Sequence, residues 1–141
     1  MNGRYIISLI VLLIPVLFAG CSKDDPETVN KGEIDLTGNW VNPIYIDSLI
    51  TYEKAGALIE NQYGIAFGAD NKLVERKNSG WCGTPPIVTA DYDGSWQMND
   101  SIIDVSVAYW GGTAVYKWKL VSISENTLVV STISNSFLEG K

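Results

Sequence analysis

Apolar and polar positions alternate most clearly between Ser95 and Ile123. Three runs rich in β-branched and aromatic residues are separated there by two turn signals, Asn99-Asp100 and Gly111-Gly112. In the middle run Ile103, Val105, Val107 and Tyr109 fall on one face, with Asp104, Ser106 and Ala108 on the other, the period of a half-buried strand. In the next run Ala114, Tyr116, Trp118 and Leu120 make the apolar face, while Lys117 and Lys119 point to solvent. The pattern predicts a β-meander.

The alternation extends in both directions. Leu36 to Ile46 is strand-like, with Pro43 implying an edge or a bulge. Leu49 to Lys54 alternates, Ala55 to Asn61 fits either a helical turn or a loop, and Gln62 to Phe67 puts Tyr63, Ile65 and Phe67 on one face. Ala69-Asp70-Asn71 then turns the chain into a strand from Lys72 to Lys77. Asn78 to Pro86 has no periodicity and reads as a shaped loop. Ile87 to Met98 carries Tyr92, Gly94, Trp96 and Met98 in phase, and Thr127 to Ser134 is the last strand after the turn Ser124-Glu125-Asn126. The tail from Asn135 to Lys141 either packs through Phe137 and Leu138 or frays. About eight strands with little helix define an all-β chain, an up-and-down barrel or a sandwich. Sequential hairpins favour the single antiparallel barrel, because closure removes the edges a flat sheet would expose.

Only the N-terminus breaks this pattern. A short segment with Arg4, an apolar run from Tyr5 to Phe18 and then Ala19-Gly20 read as an export signal over residues 1–20. The run is too short for a bilayer-spanning helix, which needs about 20 residues. Phe18-Ala19-Gly20-Cys21 resembles the lipobox of bacterial lipoproteins, which implies cleavage before Cys21 and acylation of its thiol; Phe18 departs from the usual Leu. Ser22-Lys23-Asp24-Asp25-Pro26-Glu27 is similar to the acidic signal that follows the cysteine in lipoproteins of the Bacteroidetes type. That resemblance implies an address on the outer face of the outer membrane. Residues 21–33 are otherwise a polar, charged tether, of about 12 residues and roughly 20 Å reach, leaving 34–141 as the folded domain.

Leu36-Thr37-Gly38-Asn39-Trp40, a Leu-x-Gly-x-Trp opening, and the spacing of Phe67, Asp70 and Leu73 resemble the lipocalin-like domains of such lipoproteins. The resemblance implies a barrel of about eight strands and a small apolar or amphiphilic ligand in its mouth.

Composition limits the chemistry. The 141 residues suit one domain, and the net charge of −6 comes with nine Lys and Arg after the N-terminal segment that form no basic patch in the sequence, which argues against nucleic acid as a partner. Histidine is absent, and with it the commonest general base and zinc ligand. Two cysteines, one assigned to lipid, make no disulfide framework. No motif marks a metal, a cofactor or a catalytic site, and Asp91, Asp93 and Asp104 read as solvated surface rather than a glycosidase pair. The expectation is a protein that is not an enzyme.

The five tryptophans are core or ligand wall. Trp40, Trp96 and Trp118 lie in phase with strand interiors and read as core; Trp81 and Trp110 lie at loop or turn ends and are candidates for the barrel mouth, with Cys82 beside Trp81. The bland alternative makes Trp81 a plug and Cys82 a small buried hydrophobe. Two functions remain in view: a lipid-anchored binding module, or an envelope interaction protein with a filled core that docks another protein.

Overall fold

A computed structural model describes residues 34–81, 85–86 and 88–140. The export segment, Cys21, the tether up to residue 33 and Cys82 lie outside the described residues. Eight strands follow in order: β1 (Gly38–Ile46), β2 (Leu49–Ala55), β3 (Gly64–Phe67), β4 (Lys72–Asn78), β5 (Thr89–Asn99), β6 (Ile102–Tyr109), β7 (Gly112–Ile123) and β8 (Thr127–Glu139). They close into an antiparallel up-and-down barrel in the order β1-β2-β8-β7-β6-β5-β4-β3. Among the described residues, the compact unit that begins at Asp35 contains all eight strands and their core, so this part of the chain has what it needs to fold alone.

One connection departs from sequential hairpins. β1 lies between β2 and β3, so residues 56–63 cross the outside of β1 instead of making a hairpin. Asn39 Nδ2 donates to Gly56 O at 3.1 Å and Arg76 Nη1 to Leu58 O at 3.2 Å, holding this strap down. Val41 on the outer face of β1 is consequently buried. The segment is neither helix nor strand.

Pro43 sits where the β1–β2 register shifts between Val41 and Ile44, the bulge expected of it. The Asp70-Asn71 turn has φ of 56° and 61°, the left-handed pair that suits a tight hairpin. β8 runs five residues beyond the expected end at Ser134, and of the two alternatives for the tail it is the paired one that holds through Glu139: Phe137 pairs with Ala114 and Leu138 with Thr113. At Gly112, φ is 148° and a Cβ would overlap Leu138 O, so glycine is what lets the end of β8 lie against β7.

The Leu-x-Gly-x-Trp opening closes one end of the barrel. Leu36 is 0% exposed, and the Trp40 indole donates to its carbonyl at 2.9 Å, folding residues 35–37 across the floor. Above it Ile65, Phe67, Leu73, Ile103, Val105, Trp118, Leu128 and Val130 fill the lower barrel. The sequence phases of β5, β6 and β7 match this core, with Trp96 and Met98 packed at its edge.

Candidate functional site

At the end opposite Leu36 the described residues leave the barrel open. The inward positions of β1, β2, β4, β6, β7 and β8 supply Tyr45, Tyr52, Glu75, Lys77, Tyr109, Tyr116 and Phe137. Together with Pro43, Tyr63 and Trp110 they line a cup of about 270 Å³. Its walls are aromatic and tilted. Tyr109 meets Trp110 and Phe137 edge-on at 5.6 Å, and Tyr116 lies flat on Trp118 at 5.3 Å, joining the cup to the filled core below.

The cup has a charged centre. Lys77 Nζ lies 2.6 Å from Glu75 Oε2, both side chains mostly buried, and Tyr116 Oη is 3.2 Å from each. The ammonium also sits 5.6 Å from the ring centres of Tyr92 and Tyr116 and 6.0 Å from that of Tyr109, within cation–π range. Asn78, at the end of β4, accepts from Tyr63 Oη at 2.6 Å and, through its carbonyl, from Tyr92 Oη at 3.1 Å. Glu75 Oε1 and the Tyr52 hydroxyl take no hydrogen bond from a described residue, although Tyr52 is only 4% exposed.

Burial pushes the Glu75 carboxyl above its ordinary 4.5, outweighing the pull of Lys77. Burial, with Glu75 and Tyr45 as neighbours, raises the Tyr52 phenol, and burial with Glu75 raises that of Tyr116, so both stay protonated donors. The folded state therefore holds the Glu75 proton to higher pH than the unfolded chain does. The associated stability is full below pH 4.5 and is lost as pH rises through the raised value. Asp91, held down by its bond to Arg76, acts oppositely but below its own ordinary 3.8, as does Asp35 under its bonds to Thr37. Urea midpoints measured against pH should fall across the window above 4.5 in the native chain, and Glu75→Gln should flatten that fall.

Of the residues singled out from sequence, Trp110 lines the cup and is 53% exposed at its rim. Trp81 is 81% exposed and is not among the residues that line it. Cys82 is outside the described residues. Asp104 pairs with Lys117 at 3.4 Å on the outer surface, and Asp91 makes a two-pronged ion pair with Arg76 at 2.6 and 2.7 Å. Glu75, Lys77, Tyr45, Tyr52 and Tyr116 were not among the sequence candidates for the site. Their signal lay in phase: once Leu73 is placed inward, period two carries Glu75 and Lys77 inward with it.

Comparison with protein-family models, curated proteins and solved structures finds no match for this chain. The fold and the cup therefore define it as a closed eight-stranded barrel with a half-filled interior and an aromatic mouth.

Proposed function

We propose that this chain is a lipid-anchored binding module of the outer membrane, exposed at the cell surface, which takes a small apolar or amphiphilic ligand into its barrel mouth. One observation carries the binding role: the interior is packed from Leu36 to Trp118 and then opens into a cup walled by aromatics. Ligand sites are concave, mostly apolar and furnished with a few convergent polar groups, and Glu75, Lys77 and Tyr52 are such groups here. At about 270 Å³ the cup lies just below the usual range for ligand pockets, so it suits one head group or ring, with the rest of the ligand on the rim. The anchor and the address rest on the lipobox-like residues ending at Cys21 and the acidic stretch behind it.

Native mass spectrometry of residues 35–141 exposed to envelope extract tests the binding role. A reproducible added mass, lost on denaturation, is expected. A bare polypeptide mass would favour a second reading, an envelope interaction protein. That reading has its own support in Ile44, Ile46, Leu49 and Ile133, exposed apolar side chains on and beside the β1–β2 hairpin. For the anchor, Cys21→Ser should abolish membrane partition and acyl labelling; labelling that persisted would contradict it.

A further inference from the structure

The Glu75–Lys77 pair narrows the ligand class, on the reading that the cup is a binding site. We infer that the cup selects an uncharged amphiphile, with a hydroxyl-bearing head on Glu75 Oε1 and the Tyr52 hydroxyl and an apolar part along Trp110 and Phe137.

Charge limits what the cup can admit. Glu75 and Lys77 are joined at 2.6 Å with both side chains mostly buried, so the centre of the cup is neutral as a unit. A ligand carboxylate that approached Lys77 would stand against Glu75, and a ligand cation on Glu75 would stand against Lys77. Like charges at contact distance in a poorly solvated site are strongly disfavoured. Breaking the pair to admit an ion strands one partner in the barrel. Lys77 is further held by three tyrosine rings, so it cannot swing away without losing them.

A hydroxyl meets neither obstacle. It donates to Glu75 Oε1, the carboxylate oxygen with no described partner, and accepts from the O–H of Tyr52, a residue 4% exposed that lines the cup and whose hydroxyl bonds no described residue. The outer part of the ligand then finds an apolar surface. Trp110 and Phe137 line the cup and are more than half exposed, an arrangement that leaves indole and phenyl faces free for a hydrocarbon.

The test is calorimetric titration of residues 35–141 with three probes that share one tail, each below its micelle concentration: octyl glucoside, octanoate and octyltrimethylammonium. Octyl glucoside should bind at least about tenfold tighter than either ion. Glu75→Gln, checked for folding by circular dichroism, should weaken the glucoside and strengthen octanoate, because Lys77 then lacks its counter-charge. Octanoate or octyltrimethylammonium binding the native chain as tightly as the glucoside overturns the inference and leaves the cup a binding site. Failure of all three to bind overturns both.

Discussion

Trp40→Ala is expected to lower the unfolding free energy of residues 35–141 by about 3–5 kcal/mol. Trp40 is 0% exposed, and its indole serves two ends. The ring is the largest of the fully buried side chains, so truncation leaves a cavity that the closed barrel cannot collapse around. Its N–H is also the bond to Leu36 O that keeps residues 35–37 over the floor. The Lys54 ammonium lies 4.3 Å from the same ring, but that contact is exposed, and Lys54→Ala should cost under about 1 kcal/mol. Urea unfolding of the two variants separates these effects. A loss for Trp40→Ala no larger than that for Lys54→Ala would mean that the floor is not where the stability lies.

Lys77→Met is expected to cost about 3 kcal/mol at neutral pH, because it leaves Glu75 buried without its counter-charge. Much of this loss belongs to the stranded carboxylate rather than to the pair itself. Adding Glu75→Gln to Lys77→Met should therefore return most of the stability, and the double-mutant cycle measures the coupling. Acid should also rescue Lys77→Met, since protonating Glu75 removes the uncompensated charge. Equal losses in the single and double variants would show that Lys77 acts through packing against the tyrosines alone.

The strands that announced themselves in the sequence were those with one apolar and one polar face. β6 and the first part of β7 come nearest to this form, and Ile103, Val105, Tyr116 and Trp118 are buried as their phase requires. The Leu-x-Gly-x-Trp opening was legible as a motif, and the structure supplies its reason: Leu36 is the floor and Trp40 latches it. At Gly38 φ is 127° and a Cβ would meet the Lys54 side chain, which explains the middle residue.

The site was harder to read because β4, Lys-Leu-Val-Glu-Arg-Lys-Asn, has charge on both faces. Periodicity identifies a buried face by apolarity, so an inward ion pair looks the same as a solvated one until the register is known. The end of β8 was obscured differently. The register shift against β7 between Lys117 and Trp118 adds a residue around Ile133 and breaks the period, so Phe137 could not be phased from Leu128 and Val130. The crossing of residues 56–63 over β1 leaves no mark in local pattern, because it depends on which strands pair.

The binding role requires that a ligand sit in the cup. Amide chemical-shift mapping of residues 35–141 during titration with octyl glucoside tests that most directly. Shifts should concentrate at Tyr45, Tyr52, Lys77, Tyr109 and Phe137 and leave Leu36, Ile103 and Leu128 at the closed end unmoved. Shifts confined to the outer face around Ile46, Leu49 and Ile133, or none at all, would contradict it.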